Sequence, residues 1–391
     1  MRILMACLYF PTEPGRAYLT NELALALAAA GHEVEVLLVD WDAPPEADGA
    51  DEVWHGVRVV RCTPRWIDGL GKLARHASKF VLTARRAGRL ARKAFDLDGF
   101  DAFVAWAPAV NIAPLAGMAR RADIARRLLF IWDFFPDHYH EIGRIPAGPL
   151  LWLARAWEQR LMDQFTVLLP TLPQNADYLR RRFKVRPGQT VRATPVWTGA
   201  APAPETDRAA VRRRHGLPEG RPVAVFGGQM IEGRGFDQML AAAAIGREAG
   251  SPLLFLFVGD GRLAPRLRAE AGDNVLWRPG MPRDAYLELL GACDVGMVAT
   301  VPGVTSFSVP SKTLDYLRAG LPVVAAVEPG SDFAALLERY GVGRSVRFED
   351  AFGYFAAAEA LAKGPRVEAA ARACLDQVFH VRHTVAAVTA D

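Results

Sequence analysis

The chain's 391 residues exceed what one hydrophobic core supports, so two domains are expected. With 51% hydrophobic and 23% charged residues it is globular, not disordered, and a net charge of +4 is too small at this length to argue for nucleic acid by itself. Four scattered cysteines, Cys7, Cys62, Cys293 and Cys374, form no CxxC pair and no metal-ligand spacing with the histidines, which argues against a disulfide framework or structural zinc and suits a reducing cytoplasm.

The chain opens MRILMACLYFPTEPG. No small-residue cleavage site follows the short apolar run, so a first β-strand is a better reading than a signal peptide. RILMACLYF (strand), PTEPGRAY (loop), LTNELALALAAAGH (helix) and EVEVLLVDW (strand) make a βαβ unit of a parallel sheet. Ligands of such sheets bind beyond the carboxyl ends of the strands, here at the loop Pro11 to Tyr18.

Residues 69–95 hold eight Lys or Arg and no acid. On a helix, Leu73, Ala77, Phe80, Ala84, Ala87, Ala91 and Phe95 form one apolar stripe. Lys72, Arg75, Lys79, Arg86, Arg89 and Lys93 fall on the other side, with Leu82 and Leu90 among them. A basic face with intruding leucines can rest on anionic lipid, and Lys72, Lys79, Arg86 and Lys93 are the contacts expected there. A solvated helix packing its alanines on the sheet is the plainer alternative. Nucleic acid ranks lower, because the aromatics are not interleaved with the charges.

FDAFVAWAP (100–108), RRLLFIWDFFP (126–136) and FTVLLPTLP (165–173) read as further strands, with helical stretches such as LLWLARAWEQRLMDQ between them. The apolar IPAGPLLWLARAW (145–157) either adds to a membrane face or is core. From Thr194 to Asp207 the chain is rich in Pro, Ala and Thr without periodicity, which predicts an interdomain linker. A second series of strands follows, RPVAVFGGQ, SPLLFLFVGDG, NVLWRPG, DVGMVAT and LPVVAAVE, again alternating with helices. The fold class is α/β, with two doubly wound domains. No stretch approaches the ~18 uninterrupted apolar residues of a membrane span.

Four motifs carry chemistry. GDGRLA (259–264) fits a dinucleotide fingerprint only superficially, since no acidic residue ends the next strand; a tight strand-to-helix turn near a ligand cleft is the better account. In FGGQMIEGRGFDQML, two glycines end a strand, and Arg234 stands between glycines at a helix start, a pattern suited to phosphate. In SFSVPSKTLDYLRAG, Ser311 can cap a helix, Asp315 lies one turn along, and Lys312 opposes the helix dipole unless an anion sits above it. IWDFFPDHYHEIG gathers Asp133, Asp137, His138, His140 and Glu141 at the end of a strand, which suggests a site, with Asp133 and His138 the pair singled out; the plainer alternative has only one or two lining the cleft and the others solvated.

Taken in order, FPTEPGRAYLTNELALALAAAGHEVEVL, VFGGQMIEGRGFDQMLAA, FVGDGRLAPRL, NVLWRPGMPRDAYLELLGACDVGMV and the Ser306–Ala326 stretch resemble a retaining glycosyltransferase of the GT-B fold, similar to family 4 and to its bacterial surface-polysaccharide subset. The resemblance implies two Rossmann-like domains facing a central cleft. Residues 1–198, with 368–391 packing back on them, would bind acceptor, and 199–367 would bind nucleotide-sugar. Donor-site roles fall on Gly15, Gly228, Gln229, Arg234, Arg278, Ser308, Ser311, Lys312 and Asp315. Arg234 and Lys312 would neutralise the leaving diphosphate, Asp315 would hold the ribose, and Arg278 would read the base through its backbone. Asp133 and His138 would serve the acceptor. Phe307 stands where the family carries an acid, which separates this chain from the usual pattern.

The activity so implied is metal-independent, retaining transfer from a nucleotide-sugar to a glycan or polyprenyl-linked acceptor, with a UDP-sugar preferred to a GDP-sugar. No cofactor is implied. The expected location is cytoplasmic, on the inner face of the cell membrane. A sugar-nucleotide epimerase of the same fold, or a non-catalytic binding protein, are the alternatives.

Overall fold

The computed structural model describes residues 1–13, 18–69, 71–108, 112–199, 206–304, 308–328 and 330–390; the side chains of 72–77 and 80 are not described. The expectations at Gly15 and Phe307, and that for the Lys72 side chain, lie outside the described residues.

The chain divides into two compact units. The first comprises Met1–Gly199 and the C-terminal residues from Val381; the second runs from Ala200 to His380. In the first, strands β1 (Arg2–Cys7), β2 (Glu33–Val39), β3 (Asp51–Trp54), β4 (Val57–Cys62), β5 (Ala102–Ala107), β6 (Arg126–Ile131), β7 (Val167–Pro170) and β8 (Thr190–Val191) form one sheet. Its order is β3-β4-β2-β1-β5-β6-β7-β8, and only β3 runs antiparallel to its neighbour. In the second, β9 (Val223–Gly227), β10 (Leu254–Val258), β11 (Val275–Arg278), β12 (Val295–Ala299), β13 (Val323–Ala326) and β14 (Gly343–Val346) pair in parallel in the order β11-β10-β9-β12-β13-β14.

The central strands are apolar on both faces because helices cover both faces of a parallel sheet. Strand β10, LFLFV, and strand β5, AFVAWA, are buried throughout. Each sheet reverses its strand order beside its first strand, β1 in one and β9 in the other. The crevice for a ligand forms at such a reversal, outside the carboxyl ends of the strands. In the second unit that point is flanked by the segments after β9 and after β12.

Two boundaries differ from the sequence reading. The expected linker begins later than Thr194, because Trp197 is wholly buried and donates its indole N–H to Leu19 O (2.7 Å), and Gly199 N donates to the Glu22 carboxylate (2.9 Å). The returning C-terminal segment begins at Val381, not at Glu368. The helix Glu368–Cys374 stays with the second unit, where Val367 N donates to Gly320 O (3.1 Å). The helix Val381–Thr389 belongs to the first, tied by Val381 N to Thr198 O (3.1 Å) and by Arg126 Nε to Val388 O (3.2 Å).

Candidate functional site

Glycine makes the floor of the site in the second unit. Gly228 follows β9 with φ +128°, and Gly259 and Gly261 follow β10, both at φ +144°. A Cβ on Gly259 would lie 2.1 Å from Gly228 O, and one on Gly261 would lie 2.5 Å from Met230 O, so only glycine lets the two loops touch. Backbone bonds join them, Gly228 N to Val258 O (3.0 Å) and Met230 N to Asp260 O (2.9 Å). Gly228, Gln229, Ile231, Gly259, Asp260 and Gly261 line a cavity of about 490 Å³. The GDGRLA turn is thus a glycine contact beside a cavity.

Two cations meet here. Lys312, at the start of the helix Lys312–Arg318, lies with Nζ 3.4 Å from the centre of the Phe226 ring and 3.8 Å from where a Gly228 Cβ would stand. Removal from water and repulsion by Arg234 hold its ammonium well below the ordinary value. Neither Lys312 nor Arg234 has an acidic partner among the described residues, although the chain's arginines are otherwise widely paired. Two neighbouring cations without a counter-charge are destabilised until an anion joins them.

The remaining donor-site residues divide. Ser311 does not cap: it is itself helical (φ −55°, ψ −29°), its hydroxyl makes no capping bond, and it is exposed. Ser308 is half-buried. Asp315 is buried and bound by both guanidinium nitrogens of Arg283 (2.7 and 3.2 Å), with Arg318 at 3.8 Å. Arg278 turns its side chain away, donating to His215 O and Trp277 O, so its backbone is what this strand end presents. The sequence reading missed Arg283, and it missed Tyr316, whose hydroxyl accepts from Gly227 N (3.1 Å) and donates to Met297 O (3.2 Å), fixing the end of β9. Neither carries a local sequence signal.

In the first unit Asp133 is exposed and His138 half-buried, just past β6. Their neighbours Asp137 and His140 are neither solvated nor free. Asp137 is 1% exposed and paired with Arg155, and His140 Nδ1 bonds Ile145 O (2.8 Å). Both shape the turn. Trp132, beside Asp133, joins an aromatic group with Trp106, Trp197 and Tyr18, with ring centres 5.5 to 6.3 Å apart. Asp-x-Asp spacing occurs at Asp40/Asp42 and Asp96/Asp98; Asp40 is engaged by Arg61 and by the N–H groups of Asp42 and Ala43.

Residues 15–197 match the family model of the glycosyl transferase 4-like domain. They form a glycosyl transferase 4-like domain. A colanic acid biosynthesis glycosyl transferase, WcaI of Escherichia coli K12, described as putative in that organism, is 25% identical over 85% of this chain and 84% of its own. Among solved structures, WaaG, a glycosyltransferase involved in lipopolysaccharide biosynthesis, matches with a TM-score of 0.66 and 15% identity, covering 99% of this chain and 100% of WaaG. HepE of Anabaena, solved in complex with UDP, matches with a TM-score of 0.64 and 16% identity, covering 98% and 97%. The architecture is GT-B.

In the first unit the basic segment does form a helix, Lys72–Ala94, and Ala84, Ala87, Ala91 and Phe95 of the expected apolar stripe are buried, but three residues placed on the basic side differ from expectation. Leu90, placed on the basic side, is 6% exposed in the core. Arg86 pairs with Asp48 (2.8 Å), whose side chain is 5% exposed, and Lys79 sits over the rings of Trp41 (4.6 Å) and Trp66 (5.5 Å). These two are internal contacts and not a lipid-facing pair. The outward side carries Val81, Arg85, Arg89, Arg92 and Lys93. Among the described residues, no helix is long and apolar enough to cross a membrane.

Proposed function

We propose that this glycosyltransferase moves a sugar, with retention and without a metal, from a nucleotide-diphospho-sugar to a lipid-linked glycan acceptor in surface-polysaccharide assembly. The observation that carries this reading is the meeting of Arg234 and Lys312, with no acidic partner among the described residues, at the glycine loops where the sheet order reverses. A diphosphate supplies the counter-charge that the protein does not. As the sugar–phosphate bond breaks, negative charge grows on the leaving diphosphate, and two fixed cations stabilise it more than the ground state. The free Ser311 hydroxyl adds a donor at the same place. Asp315, oriented by Arg283, keeps lone pairs for vicinal ribose hydroxyls, and the backbone near Arg278 meets the base. A UDP-sugar is the donor we favour.

The first unit takes the acceptor. Asp133 orients its hydroxyl, His138 stands in the short helix that follows, and half-buried Trp132 and Tyr18 offer ring faces to a sugar. The relatives named above support polysaccharide or lipopolysaccharide assembly as the setting; the inner face of the membrane is the location we propose.

The test is product analysis. The enzyme is incubated with single nucleotide-sugars, with and without membrane-extracted glycolipid. Acceptor-dependent release of nucleoside diphosphate with a glycosylated lipid is expected. Epimerised nucleotide-sugar formed without acceptor would assign the chain to the epimerases, and no turnover under either condition would remove the enzymatic reading.

A further inference from the structure

The helix Pro149–Met162 is built inside out. Leu151, Glu158, Leu161 and Met162 face the interior. Outward stand Leu150 (64% exposed), Trp152 (68%), Leu153 (56%) and Trp157 (44%). At 100° per residue, these four with Ala156 and Arg160 sweep one continuous arc of about 160°. A helix at a water-facing surface carries its polar residues on that arc and its apolar ones beneath. Here an acid lies beneath and two tryptophans lie outside. Single exposed apolar residues are ordinary, but a contiguous face of them marks a docking surface.

The chemistry of that face selects its occupant. Tryptophan joins an apolar body to one N–H, which suits the boundary between headgroups and acyl chains. Arg160 closes the arc at its C-terminal end. Lys184, also exposed, lies alongside, since Gln159 of this helix donates to Lys184 O (2.9 Å). Neither has an acidic partner among the described residues. The nearby acids are spent: Glu158 is buried, Asp163 pairs with Arg186, and Asp137 pairs with Arg155. The rim is therefore cationic, which complements anionic headgroups. A second copy of the chain fits worse. One helix face is small against the ~800 Å² per partner of a stable interface, and a two-fold pairing would oppose like charges.

We propose that Pro149–Met162 seats the first unit on an anionic bilayer, with Leu150, Trp152, Leu153 and Trp157 in the headgroup–acyl boundary and Arg160 and Lys184 at the level of the phosphates. This sharpens the membrane part of the proposed function and rests on it only for its purpose. The Arg155–Asp137 pair links the helix to the turn bearing Asp133 and His138, so the seated face holds the acceptor residues close to the lipid.

Vesicle co-sedimentation of the full chain tests it, using phosphatidylcholine alone and mixed with phosphatidylglycerol. Wild type is expected to bind the mixed vesicles more tightly than the neutral ones. The double substitution Trp152→Ser with Leu153→Ser is expected to lower binding at least about tenfold, with circular dichroism and UDP affinity unchanged. Arg85→Glu with Arg89→Glu on the basic helix is expected to lower it less. The proposal is overturned if wild type stays in the supernatant, or if the serine variant sediments as wild type does. Analytical ultracentrifugation showing a dimer that the serine variant abolishes would give the face to a second copy. No nucleotide enters the vesicle assay, so its failure leaves the donor-site reading untouched, and failure of UDP binding leaves the docking result standing.

Discussion

Glu158 gives the fold a pH dependence that can be worked out beforehand. It is 3% exposed, and its Oε1 has no hydrogen-bond partner among the described residues. Burial alone pushes its carboxyl from the ordinary 4.5 up to about 8. Between those values the folded chain holds a proton that the unfolded chain has released, so stability falls as pH rises. The contribution is intact below the ordinary value and is lost as pH climbs to about 8. At about 1.36 kcal/mol per pH unit, the loss is on the order of 5 kcal/mol. That is a large share of the ~5–15 kcal/mol that holds a typical fold together. Glu158→Gln keeps the shape and removes the ionisation. Denaturant unfolding of both proteins, followed by circular dichroism across this pH range, reads the effect. The variant should gain on wild type steadily as pH rises, by up to roughly 5 kcal/mol. Parallel pH profiles for the two proteins would refute the buried-acid argument.

Other outcomes follow from single contacts. Arg86→Ala leaves the Asp48 carboxylate with Arg65 and the Thr63 N–H and should cost ~1–2 kcal/mol in denaturant unfolding, whereas exposed Arg85→Ala should stay within about 0.5 kcal/mol; equal losses would contradict the internal role of Arg86. Gly259→Ala drives a Cβ into Gly228 O and should both lower the melting temperature and abolish UDP binding; an unchanged melting curve would mean the two loops are not in contact. Asp315→Ala should remove any preference for UDP over its 2′-deoxy form in a competition assay, and a preserved preference would take the ribose from Asp315.

The βα alternation was legible because buried parallel strands read as unbroken apolar runs. The hairpin of β3 and β4 was not read, since DEVW is largely exposed and half charged. Its signal was His55-Gly56, both at positive φ, the turn that joins antiparallel strands with the right twist. The basic helix was legible as a helix, with Ala84, Ala87, Ala91 and Phe95 rightly read as its buried stripe, but the burial of Leu90 was not. Small alanines set the apolar stripe weakly, and the core took Leu90 along with them. At the candidate site, Arg234 between its glycines and Lys312 at its helix start announced themselves. That Arg283 binds Asp315 could not be read, because Arg283 reaches it from another element. Asp137 and His140 looked like site residues because composition alone does not separate a reactive group from one consumed by Arg155 or by Ile145 O. The exposed face of Pro149–Met162 was ambiguous between membrane and core until its burial pattern was seen.

Calorimetric titration of UDP into wild type, Arg234→Ala and Lys312→Ala tests the central claim, that these two cations hold a nucleotide's diphosphate. Each charge-assisted contact is worth about 1.5–3 kcal/mol, so each variant should bind UDP roughly ten- to a hundredfold more weakly while keeping its weak affinity for uridine. Equal UDP affinity in all three proteins would contradict the account.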